Sequence, residues 1–415
     1  MFNYENTIKS LDLQDLNIHV LDIMESDTAI ILSVRRKDDY VFCNECQVNT
    51  NYHYDTRSET SKIRHSDYCG KFVFLLLNKR RFKCRECGRI ISEQLKSLKP
   101  YQRTTTDFEK NVLSALTDLP FKKVQSQFSI SYSFLRHKLF KHIKHDPLRI
   151  NWEEHFKEED IITLGIDEHS SKKSVLSLTI TNITKHKLIT ILPKYSQKCL
   201  EQFLRSIPSN YRKRVNFVAM DFTNKYGKII KKWLINTEIV GDHFHLIGMA
   251  NKILWNEKRV LEGIDKKNKV KNFKLLLKAK EKLKKDERQK VEKILQGKQR
   301  EKLKRAYELK EELRSAMRDK NTKRGIQKFL EITRKDIWNR ESLNRNEHLK
   351  YSKYYRTFIE TLQKWKIEII NFIETRITNA YTEGVHTKIK NLKRLSYGLP
   401  NIDVYIKRMI LAFSS

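Results

Sequence analysis

Long apolar runs are the first thing this 415-residue chain lacks. The longest, FVFLLL at 72–77, falls far short of the roughly 20 residues that carry a helix across a bilayer, so no segment reads as a membrane span. The opening MFNYENTIKSLDLQ carries acids and no apolar stretch, so it does not read as a secretory leader, and a cytosolic protein is expected. Acids are also scarce: 50 Asp and Glu face 84 Lys and Arg, a net charge of +34. A field of that sign draws polyanions, and nucleic acid is the first candidate partner, although ribosomal, histone-like and membrane-surface proteins are comparably basic. Cysteine is limited to six residues, four of them in two CxxC pairs, which argues for a metal rather than disulfides. Proline and glycine almost vanish between Asp242 and Glu383, and the 140 residues there are helical in pattern and rich in Lys and Glu.

Along the chain, residues 1–98 read as short strands (NIHVLDI, AIILSVRR, KFVFLLL) around the cysteines, a small metal-stapled β module. Residues 99–150 turn helical, with DFEKNVLSAL, VQSQF, the break SISYS and then FLRHKLFKHI, the pattern of a helix-turn-helix. From 155 to 245 strands and helices alternate: IITLGID, SVLSLTIT and KLITILP as strands, SQKCLEQFLRSI as a helix, then strand VNFVAMD, helix TNKYGKIIKKWLI and strand TEIVGD. That order is the order of a ribonuclease-H-like domain. A helical insertion over 246–365 follows, and 366–415 returns to the same domain, bringing the helix that contains Glu383. The expected fold is an α/β multidomain chain: zinc-binding β module, helix-turn-helix, and a ribonuclease-H-like core interrupted by a long helical insertion.

Cys43 and Cys46 are separated by 37 residues from Cys84 and Cys87. Two CxxC knuckles supply four thiolates, a closed tetrahedral set for structural Zn²⁺ with no open position for chemistry. Cys69 and Cys199 have no partner at ligand spacing and read as core residues. The basic strand Lys79-Arg80-Arg81-Phe82-Lys83 reads either as a phosphate grip or as a solvated sheet edge. Tyr132, Ser133, Arg136 and His137 stand at the start of the third helix of the trihelical segment, where a recognition helix meets base edges; trihelical packing without DNA contact is the alternative.

Asp167 and Asp221 each follow a buried β run, and a buried carboxylate must be paired or bind metal. Glu383 is a lone acid ahead of Lys388, Lys390, Lys393 and Arg394 on a helix whose opposite face carries Val385, Ile389 and Leu392. Three carboxylates at one spot can hold two Mg²⁺ ions, with the cations beside them meeting DNA phosphates. Caps or salt bridges for each acid are the alternative, with Glu168 and Asp242 the neighbours easiest to mistake for ligands.

The CxxC module, the trihelical segment, LGIDEHS, VAMDFTNKY, VGDHFHL and TNAYTEGVHTKIKNLKRLSYGLPN together resemble bacterial insertion-sequence transposases of the ISL3 family, which have a DDE catalytic core. The resemblance covers most of the chain. It implies Asp167, Asp221 and Glu383 as the catalytic triad with Mg²⁺ or Mn²⁺. It implies Asp242 and His245 as a second motif that positions the scissile strand or a flipped base, a buried Asp–His pair without such a role being the alternative. His386 and Thr387 stand where many members have asparagines, a departure that leaves the Glu in place. The implied activity is cleavage at the element's terminal inverted repeats and strand transfer to target DNA. The implied partners are double-stranded DNA and a second copy of the chain, a homodimer or higher in a synaptic complex, with no membrane, in the cytoplasm and nucleoid of a bacterium. A nuclease that cuts without joining and a DNA-binding regulator with a silent core are the rival readings.

Overall fold

The computed structural model describes residues 17–95, 101–144, 149–157, 160–172, 175–262, 273–297, 300–342, 353–396 and 401–413, with 11, 13, 98, 146 and 147, and the backbone alone at 171–172, 335–342 and 353–356. Segment 263–272, where the expected helical insertion is under way, and 397–400 in the last quoted motif lie outside the described residues. The chain divides into two units, Met1–Lys144 with Lys407–Ser415, and His145–Ile406.

In the first unit, β1 (Ile18–Glu25), β2 (Ala29–Arg36), β5 (His53–Tyr68), β6 (Lys71–Lys83) and β7 (Ile90–Ser92) form one sheet in the order β1-β2-β6-β5, with β7 also on β6; β3 (Val41–Cys43) and β4 (Val48–Thr50) pair separately. Strands β2 and β6 are parallel. Alternation explains β6: Val73, Leu75 and Leu77 point into the core with Leu32 and Ile63, while their neighbours in the FVFLLL run face outward. β5 shows no such alternation. It is a 16-residue edge strand whose buried side chains are only Ile63 and His65, so its sequence carries no strand signal.

Two expectations fail in this unit. Cys69 is not a core residue: with Gly70 it forms the two-residue turn joining β5 to β6, both at positive φ (48° and 77°), and that turn geometry leaves it exposed. The Lys79–Lys83 strand is neither a sheet edge nor a free phosphate grip. Arg81 and Phe82 lie between β5 and β7, Arg80 is buried against Glu93 and Asp39, and Arg81 is paired with Asp55.

Helices α1 (Thr106–Asp118), α2 (Phe121–Phe128) and α3 (Tyr132–His142) follow. The turn before α3 is tight because Ser129 takes a left-handed conformation (φ 52°) and the Ser131 hydroxyl caps α3 at Phe134 N. The chain end joins this unit through Arg408, whose buried guanidinium donates to the carbonyls of Leu116 and Leu119 at the end of α1. The sequence reading assigns all of 366–415 to the catalytic region; these bonds explain why residues from Lys407 group with the first unit instead.

The second unit starts with α4 (Trp152–Phe156) and contains a five-stranded sheet of β8 (Ile162–Lys172), β9 (Val175–Asn182), β10 (Lys187–Leu192), β11 (Val215–Met220) and β12 (Glu238–Gly241), ordered β10-β9-β8-β11-β12. The first three are antiparallel, whereas β8, β11 and β12 are parallel. Its two faces differ in chemistry. Ile162, Leu164, Ile166, Leu178, Ile180, Val218 and Met220 face an apolar core with α5 (Gln197–Ser206), the short α6 (Ser209–Arg212) and α7 (Gly227–Trp233). The opposite face carries Gly165, Asp167, Thr179 and Thr181. Helices α8 (His243–Leu261), α9 (Phe273–Leu277), α10 (Lys285–Leu295), α11 (Glu301–Arg318), α12 (Thr322–Ser342), α13 (Lys353–Lys364) and α14 (Lys366–Thr375) share a second core running from Val240 and Leu246 to Ile373. Then come α15 (Ala380–Leu395) and α16 (Ile402–Phe413).

α15 lies on the polar face of the sheet. The Thr181 and Thr382 hydroxyls, 2.7 Å apart, meet over Gly165, where a Cβ would stand 2.3–2.4 Å from both oxygens and 2.7 Å from Asn379 Oδ1. Glycine is required there by the close approach of the helix. Gly165→Ala is expected to push α15 off the strand, costing about 1–3 kcal/mol. Denaturant unfolding measures the loss.

Candidate active site

The parallel strands bring the acids together. Ile166 of β8 pairs with Met220 of β11, so Asp167 and Asp221, each one residue further on, come to neighbouring positions. Asp167 does not end its strand, contrary to the sequence reading: β8 continues to Lys172 because β9 keeps pairing with it after β11 has stopped. Asp242 N donates to Met220 O at 3.0 Å, tying the end of β12 to the end of β11. Gly241 makes room for this, since a Cβ there would collide with the Phe222 ring at 2.3 Å.

Asp242 caps α8, with Oδ1 accepting from Phe244 N at 3.0 Å. It is 1% exposed, and its Oδ2 has no hydrogen-bond partner among the described residues. His245 turns toward Asp221 rather than Asp242, its Nε2 3.0 Å from Asp221 Oδ1. Ligand atoms of Asp221, Asp242 and His245 all lie within 4.8 Å of one another. Glu383 stands in the first turn of α15, with Val385 and Ile389 buried beneath that helix.

Electrostatics binds these residues into one site. Burial, then the neighbouring Asp167 carboxylate, pushes Asp221 up to about 7; Asp242 and Glu168 add to the rise and His245 opposes it. Glu383 is raised by burial and then by Asp242, with Asp167 contributing. Carboxylates that raise one another's pKa, with two oxygens (Asp221 Oδ1 and Asp242 Oδ2) buried and without a hydrogen bond among the described residues, fit a divalent cation: oxygen-rich donors suit Mg²⁺ or Mn²⁺, and the imidazole is compatible with the second.

The sequence reading noted His386 only as a departure. Its Nδ1 lies 3.2 Å from Asp167 Oδ2. The signal was available: His386 is one helical turn past Glu383 on the side of α15 that carries Val385 and Ile389, and a polar residue there must have a partner. Of the expected DNA-contacting cations on α15, Lys388, Lys390 and Arg394 are exposed, whereas Lys393 is half-buried and donates to Ser170 O at 2.8 Å.

In the first unit, Cys43, Cys46, Cys84 and Cys87 converge, with sulfurs within 4.8 Å of one another and Cys43 Sγ 3.8 Å from Cys87 Sγ. Tetrahedral zinc with bonds of about 2.3 Å separates its sulfurs by roughly 3.8 Å, so the set fits that ion. The two knuckles share a backbone device: Gln47 and Gly88, each one residue past its second cysteine, have φ near 56° and 69°. Backbone N–H groups of Cys87 and Glu86 lower the Cys84 thiol to about 7, favouring the ligating thiolate. Tyr132, Ser133, Arg136 and His137 are all exposed on one side of α3, opposite Leu135 and Leu139, and with Phe140 line a groove of about 280 Å³.

A four-cysteine cluster in the first unit and an acid cluster beside parallel strands in the second are what a transposase of the DDE class requires, and comparisons with known proteins identify that class. A family model described as a transposase, of the ISL3 DDE type, matches residues 164–409, and one described as the zinc-finger of transposase IS204/IS1001/IS1096/IS1165 matches residues 39–87. The chain belongs to the ISL3 family of transposases. It is 21% identical over 388 residues to the transposase for insertion sequence element IS1001 of Bordetella parapertussis, a match covering 90% of this chain and 89% of that protein. Membership of a DDE family implies DNA cleavage or transfer with a divalent metal.

Two measurements follow from the metal sites. Chelation, or Cys43→Ser, is expected to release zinc and lower the first unit's unfolding midpoint, read by metal analysis alongside calorimetry. Asp221 binds its proton more tightly in the folded state, so in metal-free protein its own contribution to stability is fully present below about pH 4 and is lost as pH rises from about 4 to about 7. The difference in thermal unfolding between wild type and Asp221→Asn across that window should show this slope, and saturating Mg²⁺ should shrink it.

Proposed function

We propose that the protein binds the terminal inverted repeats of its own insertion sequence, cleaves DNA there and transfers the freed strand to a target. The observation that carries this reading is that Asp167, Asp221, Asp242 and Glu383 lie near enough to raise one another's pKa, with burial and then the Asp167 charge lifting Asp221 to about 7 and His245 beside it. The strand order β10-β9-β8-β11-β12 supports a ribonuclease-H-like core. Asp167, Asp221 and Glu383 are the proposed ligands of Mg²⁺ or Mn²⁺. A divalent metal held there would supply activation of the attacking oxygen and stabilisation of the leaving one.

The chain's own residues do the rest. Asp167, on the strand flanked by both neighbours, would hold such a cation together with Asp221 and Glu383. His245, 46% exposed on its side chain and held against Asp221, is free on its outer side to position the scissile strand, with Asp242 fixing the start of its helix. Lys388, Lys390 and Arg394 face solvent beside Glu383 and are the proposed phosphate contacts; Lys393 contributes its charge from closer in. Tyr132, Ser133, Arg136 and His137 form the proposed base-reading face of a helix-turn-helix, supported by their common exposure on α3 and by its Ser131 cap. Two element ends must meet in one complex, so a homodimer or higher on DNA is proposed, acting in the bacterial cytoplasm and nucleoid. No described helix is long and apolar enough to cross a membrane.

A labelled duplex bearing the element's own end, incubated with Mg²⁺ or Mn²⁺, tests the reading. Wild-type protein should release a 3′-hydroxyl end and join it to target DNA. Glu383→Gln and Asp221→Asn should lower both steps about a hundredfold or more while leaving end binding intact. Tight binding without cleavage by wild type would favour a regulator, and cleavage without joining a nuclease. Separately, Arg136→Ala should weaken binding of the element end more than of unrelated duplex, read by competition at fixed salt.

A further inference from the structure

On the polar face of the sheet, behind Asp167, lies a chain of buried polar side chains that metal binding does not account for. His386 Nε2 is 2.8 Å from Thr179 Oγ1, the same hydroxyl is 2.8 Å from His169 Nδ1, and His169 Nε2 is 2.9 Å from the Tyr405 hydroxyl. The imidazole centroids are 5.1 Å apart. Thr179 is 0% exposed, Tyr405 1%, and both histidines 5%. Three elements of sequence, β8–β9, α15 and the start of α16, meet in this row. Filling such a core with leucine would carry no desolvation cost; polar groups there persist when each finds its partner.

We propose that His386 is a positioning residue for Asp167, and that Thr179, His169 and Tyr405 form a relay holding its ring in the tautomer that donates to that carboxylate. The proposal rests on the reading that Asp167 binds the catalytic cation. A carboxylate only accepts, so His386 Nδ1, 3.2 Å from Asp167 Oδ2, must carry the proton. For neutral rings the rest follows in one direction. His386 Nε2 accepts from the Thr179 hydroxyl, whose oxygen accepts from His169 Nδ1–H. His169 Nε2 then accepts from Tyr405. Every donor points toward Asp167, whose other oxygen, Oδ1, takes the N–H of Glu168 at 2.7 Å. The carboxylate is thus gripped at both oxygens, and its rotation is set before a cation arrives, as partners behind a ligand do in metal sites generally.

The test uses two substitutions that each keep half of the imidazole. The amide of His386→Asn occupies the Nδ1 position and retains a donor for Asp167, but falls short of Thr179. The amide of His386→Gln reaches the Nε2 position and retains Thr179, but offers Asp167 nothing. The Mn²⁺ concentration giving half-maximal cleavage of the element-end duplex should rise about tenfold in His386→Ala and His386→Gln and stay within about threefold of wild type in His386→Asn. If packing alone mattered, Gln, nearer in volume, would outperform Asn. That order, or an Ala variant with unchanged Mn²⁺ dependence, overturns the proposal. Asp167→Asn is the control for the underlying reading: if it cleaves like wild type, the assignment of Asp167 itself fails, whereas an inactive Asp167→Asn with unaltered His386 variants sinks only the positioning role. Side-chain ¹⁵N shifts of histidine-labelled wild-type protein provide a readout free of activity. His386 and His169 should both be protonated on Nδ1, and Thr179→Val, which removes the donor to Nε2 but not the Asp167 contact, should lower the Nδ1-protonated share of His386 without abolishing it; Nε2 protonation of His386 in wild type overturns the proposal.

Discussion

Asp167, Asp221, Asp242 and Glu383 repel one another, and the second unit is built to hold them close regardless. Burial and mutual repulsion raise Asp221 to about 7 and lift Glu383 as well, a sign that the protein alone does not neutralise the cluster. The scaffold therefore has to be rigid where the acids attach. Parallel pairing of β8, β11 and β12 fixes three of them by backbone geometry, and the fourth depends on a helix lying hard against a glycine.

That helix is seated by polar complementarity rather than by grease alone. One sheet face buries isoleucine, leucine and valine, the ordinary solution for a sheet covered by helices. The other presents Gly165, Thr179 and Thr181 to Thr382 and His386, while Val385 and Ile389 supply the apolar share. Hydrogen bonds are directional where apolar contacts are not, so this face sets the rotation and height of α15, and with them the approach of Glu383. The helical insertion contributes in the same sense. α8 begins on Asp242, which caps it, and continues into the core that ends at Ile373, so the packing of those helices fixes the first turn on which His245 sits.

Much of this was legible in the sequence. Strands of the second unit announce themselves as apolar runs, the four cysteines by their spacing, and the Glu383 helix by period, because in each case one physical demand dominates the residue pattern. What stayed hidden has the opposite character. β5 is polar along nearly its whole length, since an edge strand needs only a partner, and its signal lies in the hairpin turn at Cys69-Gly70. Arg80 looks like a surface cation until Glu93, 13 residues on, is seen to be folded against it. The row from His386 to Tyr405 joins positions 169, 179, 386 and 405, and no local pattern connects residues so far apart.

Charge gives the site a further constraint. A chain of net charge +34 draws DNA from a distance limited by screening to about 8–10 Å, yet its candidate site is an island of carboxylates. Exposed Lys388, Lys390 and Arg394 stand on the same helix as Glu383, one to three turns further along. Phosphate is attracted along that helix and repelled at its first turn for as long as the acids are unneutralised. On the proposed function, the two opposing fields order events: divalent cations must be present before or with the scissile phosphate, since only then does the sign at the centre agree with the sign around it.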